Sequence, residues 1–521
     1  MYLFEELFIG VVLLYLITYG TIISFNVKYL HPLFNKSFLN LVLLVLLLGC
    51  FLSFRGDNPL VLLQSTTFSE ALLIDALSYD VKCLISIFAV LSLVLIQDYT
   101  AFTKINSFEY YVLILCSILG LLLLCTCNDF LTMFLALELQ SLSFYVLASI
   151  KKRSSYSVES GLKYFVIGSV ASGLFLFGVS LIYGILGTVN LLEIHELTLS
   201  TFFSTKEEFS NGAFLLLKHD SFFSATLDVF IHNRIIAYAH IGFFFIFVSF
   251  FIKISIAPFH LWSPDVYENS PTSSSLFFVI MPKLSIFLVW VKLCYYSSFG
   301  SLIWLKDWVF ILILLSIFVG GVGGFEQRKL KSLFSYSSIS HSAYLLMSLV
   351  FESFESLFAL IAYLIIYASS GISLWGFLLL LRLKNPVGKK QNKDLSELSL
   401  LVKSNPLICL VFVGSLFSLA GLPPLFGFLV KLNILLVAVA NHYFIVALLS
   451  LLFSVISLSY YLRLIKVLVF EPVLVGQLYE PICSKVVIIP NFIFLMNIFL
   501  FFSPSFLYNV VYKTTFLFFF T

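Results

Sequence analysis

Residues 109–126 read Glu109-Tyr-Tyr-Val-Leu-Ile-Leu-Cys-Ser-Ile-Leu-Gly-Leu-Leu-Leu-Leu-Cys-Thr126, and their one charge stands at the first position. As a helix this run reaches about 27 Å at ~1.5 Å per residue, close to the ~30 Å hydrocarbon thickness of a bilayer. It has no polar face to offer water. In lipid every backbone N–H and C=O must be paired inside the segment, so the run reads as a spanning helix. Working outward gives fourteen spans, at 5–26, 38–54, 80–97, 109–126, 129–150, 162–186, 236–258, 272–296, 302–323, 329–350, 353–382, 405–440, 443–468 and 486–511. The twelfth is interrupted by Gly421-Leu-Pro-Pro424. The short alternating segments of a membrane barrel are absent.

Composition agrees. Hydrophobic residues make up 60% of the 521 and charged residues 11%, against ~25% charged in soluble domains. Mean hydropathy is +1.06. A net charge of +3 gives no reason to expect nucleic acid. No dinucleotide loop or phosphate loop occurs. None of the eight cysteines forms a C-x-x-C pair, and Cys125 and Cys127 read as packing residues rather than metal ligands. No cofactor, metal or redox centre is therefore expected in this chain. The first apolar run follows Glu5 and Glu6 and is long enough to span, which argues against a removable targeting segment. Sixty phenylalanines fit an AT-rich, organellar coding sequence.

Basic residues fall in alternate loops: Lys28 and Lys36; Lys151, Lys152 and Arg153; Arg328, Lys329 and Lys331; Arg382, Lys384, Lys389, Lys390 and Lys393; Arg463 and Lys466. The positive-inside rule puts these on one side and both termini on the other. Asp265 and Glu268 are an acidic exception on the basic side. The segment 187–235 reads as an extramembrane insertion.

Ser141-x-Ser-x-Tyr-x-Leu147 recurs as Ser340-x-Ser-x-Tyr-x-Leu346, and spans seven and twelve each contain proline, at Pro258 and Pro423. Spans 4–8 and 9–13 then form two five-helix repeats, and an odd number of spans inverts the second copy. The implied organisation is an N-terminal three-helix segment (1–100), a first repeat (108–296), a second repeat (301–470) and a C-terminal transmembrane helix (480–521). The fold class expected is an all-α polytopic membrane protein with broken helices seven and twelve.

Ionisable side chains within a membrane are functional candidates by default. Glu138 stands about eight residues, roughly 12 Å, into span five. Lys253 precedes Pro258, Lys283 follows Pro282, Lys431 follows the break of span twelve, and His341 lies in span ten. A static Glu138–Lys253 ion pair and satisfied core histidines (His240, His260, His341) are the bland alternatives. Lys82, Lys163 and Lys292 lie near span ends and read as anchors whose heads snorkel to the interface. Burial disfavours an ammonium's charged form and a nearby carboxylate restores it, so lysines on three spans suit a proton path better than structural glue. Prolines at the breaks free the carbonyls of Ile254 and Leu419 to bind water.

The run Phe251-Ile-Lys-Ile-Ser-Ile-Ala-Pro-Phe-His-Leu-Trp-Ser-Pro-Asp-Val-Tyr-Glu-Asn-Ser-Pro-Thr272 resembles the signature of the antiporter-like subunit 2 (bacterial subunit N) family of respiratory complex I. Glu138–Tyr145, Gly161–Phe165, Gln327–Ile339 and Gly421–Lys431 support it, and the likeness covers most of 108–470. The resemblance implies a proton-translocating subunit of an NADH:ubiquinone reductase, with NADH, FMN, iron–sulfur clusters and ubiquinone held by other subunits. It implies roles for Glu138, Lys253, Lys283 and Lys431 in moving protons, and His341 joins them as a polar link. The expected partners are other membrane-arm subunits, accessory subunits and lipids, with no nucleic acid. The expected location is the mitochondrial inner membrane, or the inner membrane of a bacterium. A stand-alone cation/proton antiporter and a non-pumping scaffold are the competing functions.

Overall fold

The computed structural model describes residues 3–26, 31–53, 65–68, 70–103, 105, 107–197, 239–297, 301–381, 394–470 and 484–520. Among these the chain is helical apart from one small hairpin, β1 (Ser65–Thr67) against β2 (Leu72–Ile74). The helices are α1 (Phe4–Asn26), α2 (His31–Ser53), α3 (Ala76–Thr103), α4 (Glu109–Thr126), α5 (Phe130–Ala148), α6 (Ser155–Leu186) and α7 (Ala239–Ile254). Then come α8 (Trp262–Asn269), α9 (Thr272–Lys292), α10 (Ser301–Phe325), α11 (Leu330–Leu349) and α12 (Phe354–Leu380). The last are α13 (Pro406–Ala420), α14 (Phe426–Ala440), α15 (Phe444–Val469), α16 (Ser484–Phe502) and α17 (Ser505–Phe520). Most of the 187–235 insertion, and the basic stretch 382–393, lie outside the described residues.

Ten of the described helices are each long and apolar enough to cross a bilayer, or eleven with one bent pair counted as a span. The sequence reading had fourteen. Its three others fall on α7, on α11 and on α13 with α14, where the helices are short, serine-rich or interrupted. The bent pair corrects the C-terminal reading as well. In place of one helix through 486–511, α16 and α17 meet at 86° across Ser503-Pro504, where proline cannot continue the ladder of the preceding turn.

Burial sorts centre from rim. Every residue of α9 is buried, as is most of α12. The apolar faces of α1 (Leu7, Val11, Leu14), α6 (Leu162, Phe165, Val166) and α15 (Leu448, Leu451, Leu452) point outward, as lipid-facing surfaces do. Helix α11 is central and polar in composition. Ser332, Ser335, Ser337, Ser338, Ser340, Ser342 and Ser348 each donate a hydroxyl to the carbonyl three residues earlier. Those hydroxyls are thereby satisfied without water.

Equivalent contacts recur 200 residues apart. Gly120 of α4 packs on the backbone of Ala136 and Gln140, and Gly320 of α10 packs on that of Tyr336 and Ser340. The extended residues before α5 and α11, Asp129 and Lys329, each form an isolated bridge, to Asn190 and Asp394. The serine–tyrosine match in the sequence runs at 199, one residue out of this register. In the packing register Glu138 corresponds to Ser338.

Helix α7 ends at Ile254. The N–H of Ile256 reaches back to the carbonyl of Phe251 (3.0 Å), and Trp262 Nε1 donates to that of Ile252 (2.9 Å). Helix α13 ends at Gly421, whose left-handed backbone (φ 77°) suits glycine. The amides of Gly421 and Leu422 both donate to the carbonyl of Phe417. Pro423 and Pro424 follow and α14 starts at Phe426.

Candidate functional site

Lys283 stands in the enclosed middle of α9. Its Nζ donates to the Ser338 carbonyl of α11 (2.6 Å) and to Tyr367 Oη of α12 (3.0 Å), and sits 4.8 Å from the Tyr367 ring centroid. Tyr367 and His341 have ring centroids 5.6 Å apart. His341 is buried and held from both sides: Nδ1 lies 2.7 Å from Tyr363 Oη and Nε2 lies 3.2 Å from Tyr461 Oη. Tyr363 and Tyr344 are 6.3 Å apart by centroids. Tyr344 donates to the Ser450 carbonyl (3.0 Å), and Lys431 Nζ lies 5.6 Å from its ring. Lys431 donates to the carbonyls of Leu419 (2.5 Å) and Ala420 (3.0 Å).

The break between α13 and α14 is thus the seat of Lys431. Leu419 loses its helical donor because position 423 is proline, and the lysine of the next helix takes that place. At the other break the Ile254 carbonyl accepts the Ser255 hydroxyl (2.5 Å). Both freed carbonyls are therefore bound by side chains, where the sequence suggested water.

Lys253 is half-buried on α7 and lines a cavity of about 20 Å³ with Gln140, Ser141, Tyr145, Tyr164 and Trp262. A water needs ~10–15 Å³, so this space admits one. Glu138 is half-buried on α5. Its Oε1 is enclosed without a hydrogen-bond partner, and Ser141 approaches Oε2 at 3.5 Å. Glu138 is near enough for its charge to act on Lys253, but among the described residues the two form no ion pair. The static-pair alternative fails on this geometry.

Two anchor assignments are corrected. Lys82 is buried and paired with buried Glu6. Lys292 is wholly enclosed and paired with Asp75 at 3.2 Å. Carboxylates on α1 and before α3 reach them inside the bundle, so neither head has to snorkel. Lys163 does sit at the surface, bonded to Glu159 and Asp265, each at 2.8 Å. Lys329 pairs with Glu268, and that contact holds the Lys329 ammonium above its ordinary value. The acidic exception on the basic side is therefore a pair of lysine-bound carboxylates on α8.

The sequence reading did not find the tyrosines. Tyr363 and Tyr367, four residues apart, share one face of α12, which is a recoverable signal. The meeting of Tyr461 of α15 with His341, one turn from Tyr344 on α11, depends on two different helices.

Residues 127–457, more than half the chain, match the transmembrane family described as NADH:quinone oxidoreductase/Mrp antiporter. The chain is 32% identical over 507 residues to NADH-ubiquinone oxidoreductase chain 2 of Marchantia polymorpha, covering 97% of this chain and 96% of that one. The chain belongs to the NADH-ubiquinone oxidoreductase chain 2 family. Bacterial members share it: NADH-quinone oxidoreductase subunit N of Pelagibacter ubique is 34% identical over 473 residues, covering 90% of this chain and 89% of that one. In fold the chain 2 family member described here is like a chain of respiratory complex I from Thermus thermophilus (TM-score 0.75, 23% identity, 97% and 98% covered). It is also like a chain of the Mrp complex from Dietzia (TM-score 0.78, 18% identity, 98% and 96% covered).

Proposed function

We propose that this chain is a proton-translocating membrane-arm subunit of an H⁺-translocating NADH-quinone oxidoreductase, and that Glu138, Lys253, Lys283, His341 and Lys431 carry the proton. The observation that supports the path best is the succession from buried Lys283 through Tyr367, His341, Tyr363 and Tyr344 to half-buried Lys431, which joins α9 to the broken span through side chains that can donate and accept. A buried lysine keeps or yields its proton according to the charge beside it. At an effective dielectric of ~20, a carboxylate at ~4 Å is worth about 4 kcal/mol, so a modest approach of Glu138 toward Lys253 decides that state. The proton then passes by way of Lys283 and His341 to Lys431 and out.

The fourteen-span count, the inverted relation of 108–296 to 301–470, and the flanking units 1–100 and 480–521 belong to this reading, as do the partner subunits and bound lipids. The recurrence of packing at a spacing of 200 residues favours the repeat. Plant relatives favour the mitochondrial inner membrane, and bacterial ones its prokaryotic equivalent. NADH and quinone chemistry is left to other subunits. An independent antiporter is the weaker reading, because the relatives at 30% identity or more quoted above are chain 2 and subunit N, while the Mrp likeness stands at 18%.

The test uses the assembled complex in sealed vesicles. Lys253→Met should leave assembly intact and cut NADH-driven proton uptake together with coupled NADH oxidation. Full pumping by that variant defeats the path. Sodium-driven proton exchange by the chain in the absence of NADH would favour the antiporter instead.

A further inference from the structure

Five charged side chains are sealed inside the end of the bundle where α1 and α3 begin. They are Glu5 and Glu6 of α1, Asp75 just before α3, Lys82 of α3 and Lys292 at the end of α9. Glu6 pairs with Lys82, and Asp75 with Lys292. Both lysines are within electrostatic reach of buried Cys125 on α4, so the two pairs are neighbours. Glu5 is left over. It is 5% exposed, and neither carboxyl oxygen has a hydrogen-bond partner.

Around Glu5 stand Glu6 on its own helix, Gly49 of α2, and Tyr79, Lys82 and Cys83 of α3. Beyond them, Cys83 meets Ser53, Cys50 and half-buried Asp80, and Asp80 has its own counter-charge in Lys513 of α17. Among the described residues around Glu5, Lys82 is the one cation. Two carboxylates therefore face one ammonium in a water-poor space. With both ionised, one negative charge is enclosed and uncompensated, which is strongly unfavourable. Two carboxyls that cannot both ionise share a proton.

We propose that Glu5, Glu6 and Lys82 form a second proton-binding site, apart from the Lys283–Lys431 row, in which the two carboxyls hold one exchangeable proton at neutral pH. While Lys82 pairs with Glu6, the proton is on Glu5. When Lys82 turns to Glu5, the proton passes to Glu6, and the site hands it from one carboxyl to the other without changing its own charge. The inference rests on burial and charge count and not on the central row, so either can fail while the other stands.

Infrared difference spectra of the intact complex test it at pH 7. Wild type minus Glu5→Gln should contain the C=O band of a protonated carboxylic acid, shifted in D₂O. Glu6→Gln should remove the same band, because Glu5 then ionises against Lys82. Lys82→Met should double it, with both carboxyls protonated. No such band in the Glu5→Gln difference overturns the proposal, since both carboxylates would then be ionised. If Glu5→Gln does not assemble, Glu5→Asp should move the band, and an unmoved spectrum is equally fatal.

Discussion

Lys292 and Asp75 are each almost wholly enclosed, so removing one leaves the other charged and unpaired. Lys292→Met should lower stability by about 3–5 kcal/mol, and Lys292→Met combined with Asp75→Leu should recover most of it. Thermal unfolding of the assembled complex reads both. Glu352, in the loop between α11 and α12, behaves differently. Burial pushes its carboxyl up to about 7, and Oε1 has no hydrogen-bond partner. A carboxyl whose folded value exceeds its unfolded one of 4.5 binds more protons when folded. Stability therefore falls as pH rises from about 4.5 to about 7, and the penalty is complete above that. Glu352→Gln should raise the thermal midpoint at pH 8 more than at pH 5, and equal shifts would count against this. The sequence made Lys283 and Lys431 visible because a lysine deep inside an apolar run is costly, whereas His341 carried the bland reading of a satisfied core histidine beside the functional one. It misplaced Lys82 and Lys292 because a lysine near a span end has one, and only tertiary packing shows the carboxylate already waiting inside.

Helix pairing hangs on two glycines. A methyl on Gly120 meets the Gln140 amide nitrogen at 2.9 Å, and one on Gly320 meets the Ser340 amide nitrogen and the Tyr336 carbonyl at 2.9 Å. Backbone cannot rotate aside as a side chain can. Gly120→Ala and Gly320→Ala should each cost about 1–3 kcal/mol, whereas Gly173→Ala, with nothing within 4 Å, should leave the thermal midpoint unchanged. Equal effects at all three would refute the close approach. Hydropathy marked most helices, because a span needs only length and apolarity. Span ten, on α11, is the least apolar of those read from the sequence: that helix is tolerated by local serine-to-carbonyl bonds that a hydropathy average cannot see. The breaks at Pro258 and Pro423 were legible from proline's missing donor. What fills the freed carbonyl at Leu419 was not, since Lys431 arrives from the next helix.

At the scale of the whole molecule, the alternation of basic loops predicts the orientation. The 383–404 stretch should face the matrix or cytoplasm, and protease added to that side alone should cleave it; cleavage from the opposite side would reverse the topology. The central claim is that the enclosed row from Lys283 to Lys431 conducts protons and does not merely pack. Lys283 has a hydrogen-bond acceptor and a donor–acceptor hydroxyl at its head, and methionine fills similar space with neither charge nor proton. The most direct measurement is the number of protons moved per electron by vesicles carrying the assembled Lys283→Met complex, compared with wild type at equal NADH turnover. A lower ratio with normal subunit content is the result expected. An unchanged ratio would contradict the row as a proton path.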